Sequence, residues 1–429
     1  MRFHVMLVAG ARPNRLWYGQ AAGRAVAVLG LLALLLVVPA QARAQTAAPV
    51  TDGWDAARLR LGPLAVTPRV ELKNLGWDSN VFNEAQDPKS DYTMTVSTPI
   101  DWWLRMGRAR LHGVDTFDGV YFAEYTNQGG FNQKHELTFL LPLNRIRPYV
   151  GGSYLNTNDR PGYEINERVR HTEAGGRVGA VVRLTGKLDL DISGLQTTYR
   201  YLEEEDASIY YSETLDRRVE NFGGKLRYKL SSLTTLTLLA DGVRERYTQA
   251  VDRNNDGYRI LPGVEFDPFA LVKGKAEVGY RKLDTATAGM PDFSGLVADL
   301  ELSYVLLGRT RFTVGASRDI HFSYDVGEPF YVQPGVAVRV TQQVGGPWDL
   351  QARGSWYRLD YQRAETRSLD LDAQGRVDRY QTYGGGVGCK VGRDIRVGIN
   401  LDYVRRESVM PGQSYDGLRG GVAATYALK

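Results

Sequence analysis

From about residue 50 to its end the chain alternates apolar and polar residues, and helical spacing is almost absent. In the run Val297 to Tyr304, Ala298, Leu300, Leu302 and Tyr304 take one face and Asp299, Glu301 and Ser303 the other. Between Asp394 and Tyr403, Ile395, Val397, Ile399, Leu401 and Tyr403 oppose Arg396, Gly398, Asn400 and Asp402. Phe222, Gly224, Leu226, Tyr228 and Leu230 oppose Asn221, Lys225, Arg227 and Lys229. Such a period places successive side chains on opposite faces of a strand. The phase slips near Gly194-Leu195, which reads as a β-bulge. Segments of this kind number about 18, from residues 65–75 to 414–428.

The connections fall into two groups. Short ones are Met106-Gly107, Pro142-Leu143-Asn144, Thr185-Gly186, Ser231-Ser232, Leu307-Gly308 and Gly392-Arg393. Long polar ones are 76–90, 157–167, 202–213, 248–255, 284–292, 362–377 and 407–413. Alternating short turns and long loops are the layout of an up-and-down transmembrane β-barrel, with turns in the periplasm and loops outside. The expected fold is therefore all-β: an antiparallel outer-membrane barrel over residues 63–429, with both ends periplasmic and nine external loops. A soluble sandwich also alternates, but it would have to bury one face of every strand. Aromatic residues near strand ends (Trp102, Trp103, Tyr121, Phe122, Tyr199, Tyr201, Trp356, Tyr357) are expected to form interfacial girdles.

The N-terminus agrees with export. Arg2, Arg12, Arg15 and Arg24 precede an apolar run from Ala25 to Val38, and Ala42-Arg43-Ala44 offers a cleavage site. The run is too short for the roughly 20 residues of a spanning helix. Residues 1–44 are thus expected to be a signal peptide. Residues 45–62, with Trp54 and Arg58 to Arg60, are expected to be a short periplasmic segment that plugs or recruits. The signal carries five arginines and no acid, so removing it takes the 53 basic residues to about 48 against 49 acidic ones. The basic balance of the precursor is thus no argument for nucleic acid as a partner. One cysteine, Cys389, excludes an intrachain disulfide. The last strand alternates to the C-terminus through Leu418, Gly420, Val422, Ala424, Tyr426 and Leu428, but ends on Lys429 where an aromatic is usual.

Chemistry is sparse. His112, His135, His171 and His321 stand singly, without metal spacing, and read as solvated or pore-lining. A barrel lipase would need a lipid-facing Ser–His pair, for which Ser97 and His112 are the candidates. Asp252 to Gly257 resembles half of a calcium loop, but its twelfth position is Gly263, so a turn is expected there. The acidic run Glu203 to Asp206 reads as a solvated loop tip. No catalytic residue, metal or cofactor is expected. The candidate functional surface is the lumen: Asp189, Asp191, Lys225, Arg227, Lys229, Lys275, Glu277, Arg281, Asp299, Glu301, Arg311, Arg396 and Asp402. Charges of both signs facing across a pore set a transverse field; alternatively they brace and solvate the wall.

Gly76-Trp77-Asp78-Ser79-Asn80-Val81-Phe82, followed by Asp91 to Pro99, resembles the opening of the beta-barrel porin 2 family. Pro262-Gly263-Val264-Glu265-Phe266, Glu277-Val278-Gly279-Tyr280-Arg281 and Phe293-Ser294-Gly295-Leu296 are similar to its middle. Ile100-Asp101 departs from the Gly-Leu of many relatives. The resemblance implies an outer-membrane porin-like channel associated with exopolysaccharide secretion. Its expected partners are outer-membrane lipid and lipopolysaccharide, the barrel-assembly machinery, polysaccharide and periplasmic export components. The alternatives are a non-conducting structural barrel of an export complex and a lipid-modifying barrel enzyme.

Overall fold

The computed structural model describes residues 53–202, 209–365 and 375–427. The expected signal peptide and the acidic run Glu203 to Asp206 lie outside the described residues. The described chain closes into an antiparallel barrel of 18 strands. They are β1 Leu64–Asp78, β2 (Asp91–Ser97 and Ile100–Met106), β3 Ala109–Phe122, β4 Gly130–Leu140, β5 Ile146–Thr157 and β6 Arg170–Arg183. Next come β7 Leu188–Leu202, β8 Arg217–Lys229, β9 Thr234–Tyr247, β10 Asn255–Phe266, β11 Val272–Thr285 and β12 Phe293–Leu306. The last six are β13 Thr310–Phe322, β14 Phe330–Gly345, β15 Trp348–Gln362, β16 Val377–Val391, β17 Ile395–Glu407 and β18 Tyr415–Ala427. Each strand pairs with its sequence neighbours, and β1 pairs with β18 to remove the free edges. A short helix α1, Tyr211–Leu215, sits between β7 and β8. At the N-terminus a three-residue strand, Leu59–Leu61, folds back on β1.

Short turns and long loops alternate around the barrel as the sequence predicts. At Leu307-Gly308 both residues have positive φ (50° and 68°), the mirror-image turn whose twist suits a hairpin. β2 is one barrel strand interrupted at Thr98-Pro99, because proline offers no ladder N–H. Its two parts pair with successive stretches of β1 on one side and of β3 on the other. The bulge expected at Gly194-Leu195 is not there: β7 keeps unbroken register with both β6 and β8 through those residues. The register shifts lie in β1 between Leu72 and Leu75, beside Asn74 with φ 55°, and in β14 between Gln343 and Gly345. What changes at Gly194 is the surroundings. Above it the outward positions, Gln196 and Arg200, are polar, so the apolar pattern moves to the inward Leu195, Tyr199 and Tyr201.

Contacts between non-neighbouring strands tell the two faces apart. Lys225 on β8 reaches Glu265 on β10 and Glu277 on β11, at 2.6 and 2.7 Å. Side chains converge like this only on the concave side, so the Lys225 parity is the lumen. The opposite parity carries exposed Phe222, Leu238, Ile260, Val278, Val387, Ile399 and Leu401. Outward aromatics form two rows. Tyr228, Tyr304, Phe312, Trp348 and Tyr426 lie near the short turns, and Trp77, Phe222, Tyr258, Tyr280, Trp356, Tyr383 and Tyr403 lie toward the loops. Beyond the second row the outward positions are charged: Arg218, Glu220, Arg244, Asp256, Lys282, Arg358, Asp360 and Arg405. An apolar band between aromatic rows is the outer wall of a membrane barrel. The girdle expected from the sequence is half corrected. Trp102, Tyr121 and Trp356 face out, but Trp103, Phe122, Tyr199, Tyr201 and Tyr357 face in, because adjacent residues on a strand cannot share a side.

The wall is not uniform at the loop end. The β12–β13 ladder stops at Ala298–Arg318, although β12 continues back to Phe293 and β13 on to Phe322. Beyond that point the β13–β14 hairpin leans into the barrel. Ile320, Phe330 and Val332, on the outward parity, are buried against Leu239, Leu261, Leu283, Phe293 and Val297 of the inner wall. Phe322 meets the ring of Tyr247 on β9 edge to face, at 6.0 Å between centroids. The Arg318 guanidinium spans the parted seam to the Leu296 carbonyl.

Candidate functional site: the lumen and the loop that crosses it

Each proposed lumen residue lies on the inward parity, but the charges do not face one another across the pore as expected. They pair along the wall. Arg227 reaches Asp191 at 3.4 Å and Glu265 at 3.5 Å, and the Tyr149 hydroxyl donates to Asp191 at 2.9 Å. Asp189 lies 3.6 Å from Arg147, Lys275 2.7 Å from Asp299, and Arg281 2.8 Å from Asp319. Arg353 grips Asp402 with its Nε at 2.6 Å, and Arg396 grips Asp349 with its Nε and Nη2 at 2.9 and 2.5 Å. The reason is geometric: neighbouring strands stand about 4.8 Å apart, well within reach of an arginine, whereas the opposite wall is not. Lys229, Glu301 and Arg311 differ. They lie near the short turns, are exposed, and form no ion pair among the described residues.

Sequence reasoning missed the main feature. The β5–β6 loop, residues 158–169, leaves the wall and crosses the lumen to the far side. Tyr163 stacks between Tyr357 of β15 and Tyr380 of β16, with centroids at 4.6 and 4.4 Å. Glu164 is buried; it accepts from Ser323 Oγ at 2.6 Å and Tyr324 N at 3.2 Å, and lies 3.9 Å from Arg376. Arg406 of β17 donates to the Glu164 carbonyl at 2.7 Å, to Asn166 Oδ1 at 2.6 Å and to Asp378 at 2.7 Å. Arg160 donates to the Val81 carbonyl at 2.7 Å. Ile165 and Val169 pack on Tyr211 and Leu215 of α1, and the Tyr211 hydroxyl donates to Glu167 at 2.5 Å. Arg253, from the β9–β10 loop, donates to the Ser323 carbonyl at 2.6 Å, to the Pro329 carbonyl and to the Thr214 carbonyl at 2.9 Å. The crossing loop, α1 and the inward hairpin are thus tied together inside the barrel.

Burial shapes the charge states of this loop. Desolvation pushes the Glu164 carboxyl up to about 7, against the opposing pull of Ser323, Arg376, Tyr324 N–H and Arg406. Desolvation also lowers the Arg160 guanidinium to about 10, leaving it charged at neutral pH. The Tyr163 phenol is pushed well up by the same cause.

The histidines do not assemble a lipase. His112 faces the lumen and stacks on Trp103 at 4.0 Å, while Ser97 also faces in and accepts from Lys73 at 3.0 Å. The Asp252 to Gly257 segment does not gather its oxygens. Asp256 binds Arg246 at 2.9 Å, Asn254 accepts from Tyr247 N, and Arg253 points into the loop cluster. At the N-terminus Asp55 meets Arg105 at 3.0 Å, and Arg60 and Arg105 lie over the Trp54 ring.

A closed barrel with an apolar outer band, aromatic rows and a charged lumen crossed by a loop is a porin-like outer-membrane β-barrel channel. Residues 150–427 match the family described as Putative beta-barrel porin 2, and the chain belongs to that family. The Gly76 to Phe82 motif precedes the matched span. Solved structures of similar fold include the outer membrane protein opdK from Pseudomonas aeruginosa, at 11% identity and TM-score 0.46, covering 85% of this chain and 98% of that one. A BenF-like porin from Pseudomonas fluorescens Pf-5 shares 12% identity at TM-score 0.46, covering 85% of this chain and 99% of that one. The FrpB iron transporter from Neisseria meningitidis shares 9% identity at TM-score 0.44 over 81% of this chain; the match spans 64% of that protein. No curated protein matches.

Proposed function

We propose that the channel conducts an anionic polysaccharide, entering at the short-turn mouth and leaving past the crossing loop. The observation that carries this reading is the short-turn rim. Arg108, Arg145, Lys187, Lys229, Arg309, Arg311 and Arg393 are all exposed there, against the exposed acids Glu301 and Asp55, the latter paired with Arg105. A rim with an excess of one sign raises the local concentration of the opposite charge at the pore entrance. The tyrosines under the loop support a sugar polymer. Tyr331, Tyr357, Tyr361 and Tyr380 line one side of the lumen, and their flat rings suit the apolar faces of sugar rings. In the docked state Tyr163 covers this surface.

Single-channel recording of the refolded mature chain tests the proposal. We expect anion-selective current and block by an anionic oligosaccharide at lower concentration than by its neutral counterpart. Correctly inserted but silent protein would overturn it and favour the second reading, a non-conducting barrel of an export complex held shut by residues 158–169. Equal block by charged and neutral sugars would remove the anionic assignment.

A further inference from the structure

We propose that Trp102, Asp115, Gln133 and His135, on the outer wall of β2–β4, form the surface on which a second copy of this chain docks. These residues face away from the lumen. Their inward neighbours are Trp103, His112, Asn132 and Thr138, and successive side chains on a strand take opposite sides. The Trp102 indole N–H donates to Asp115 Oδ2 at 2.6 Å, Asp115 Oδ1 lies 2.7 Å from His135 Nδ1, and His135 Nε2 lies 3.3 Å from Gln133 Oε1.

Their level in the wall is the anomaly. Toward the loops the same outward face carries Phe117, Gly119, Phe131 and Tyr121; toward the turns it carries Leu111, Leu137 and Phe139. The cluster therefore sits mid-band. Around the described remainder of the wall, outward positions between the two aromatic rows are aliphatic, aromatic, glycine, alanine, proline or the single Cys389. A titratable pair within the hydrocarbon layer is costly and is retained where it meets something other than lipid. The cluster is not arranged for catalysis: both imidazole nitrogens are engaged, and neither contacts a hydroxyl.

A second copy is the occupant that the surface fits. The patch holds acceptor lone pairs on Asp115 and a donor in the Gln133 amide, so it complements itself across a symmetry axis. Its relief is also self-complementary. Phe131, Tyr121 and Val178 stand out as exposed ridges, and Gly119 and Gly176 are hollows where an added Cβ would meet nothing within 4 Å.

The test is the mass of the extracted full-length mature protein in mild detergent, with cysteine cross-linking in a Cys389→Ser background. We expect a multimer for the wild type. Leu137→Cys on β4 should form an intermolecular disulfide on oxidation, and Ile399→Cys on β17 should not. Asp115→Leu with His135→Leu should give a monomer; both leucines suit lipid, and a heat-modifiable gel shift verifies that the barrel has formed. A monomeric wild type, a multimer that survives the double change, cross-linking at Ile399→Cys instead, or capture of a different protein by Leu137→Cys in cells would each overturn the proposal.

Discussion

Glu164 is the residue at which burial and charge conflict most directly. It packs among Ser323, Tyr324, Arg376 and Arg406, with Asp378, Glu328, Tyr211, Tyr331 and Tyr361 around them. Docking raises its carboxyl from the ordinary 4.5 to about 7. The docked loop therefore binds more protons than a released one between those values. Docking is strongest at low pH, weakens as pH climbs from about 4.5, and carries its full penalty above about 7. Channel open probability is expected to rise across that window, by up to about two orders of magnitude where the docked state dominates at low pH. Glu164→Gln keeps an acceptor for Ser323 and loses the charge, so it should stay docked and flat with pH. A wild type indifferent to pH would refute this. Nothing in the sequence marks Glu164: a lone glutamate in a polar loop looks solvated, and only the far-wall residues Ser323, Arg376 and Arg406 show otherwise. The charged strand residues were legible because a period of two assigns their side. Their partners were not, because pairing depends on register between strands that the period leaves open.

At the scale of elements, the turn-and-loop rhythm made the strands readable. Each predicted strand lies within a few residues of an observed one, since Gly, Pro and Ser-Ser turns interrupt the alternation at fixed points. The inward lean of β13–β14 was not readable. Ile320, Phe322, Phe330 and Val332 continue an ordinary outward apolar pattern, and only the early end of the β12–β13 ladder shows that they face the inner wall. A clue did exist: at this height the outward positions of β9–β11 are charged (Arg244, Asp256, Lys282), so apolar ones need another cover. Arg253 holds the hairpin by the Ser323 and Pro329 carbonyls. Hydrogen bonds from a charged donor contribute about 1.5–3 kcal/mol each. Arg253→Ala should therefore free the hairpin tip, with more frequent gating transitions and larger mean current at neutral pH. Current indistinguishable from wild type would mean that the apolar packing alone fixes the hairpin.

For the molecule as a whole, everything rests on closure between the first and last strands, and here the opening motif explains itself. Asp78 ion-pairs with Arg419 of β18 at 2.7 Å, and Ser79 Oγ accepts from Leu418 N at 2.7 Å. Asn80 is buried; it donates to the Glu84 carbonyl at 2.8 Å and the Asp416 carbonyl at 3.0 Å, and accepts from Glu84 N at 2.9 Å. Asn83 donates to the Tyr415 hydroxyl at 3.1 Å. The motif thus latches β1 to β18 at the loop end, and Val81 offers its carbonyl to Arg160 of the crossing loop, linking closure of the wall to the site inside it. The sequence displayed the motif but not its purpose, because its partners lie more than 300 residues away. Replacing Asn80 with Ala leaves the Asp416 carbonyl and both Glu84 backbone groups without their partner, a loss on the order of 2–4 kcal/mol. Asn80→Asp retains the acceptor for Glu84 N but not the two donated bonds, so it should fall between alanine and the wild type. The measurement is the temperature at which the compact gel band converts to the unfolded one. Alanine and aspartate variants as heat-resistant as the wild type would show that the β1–β18 ladder closes the barrel without the latch.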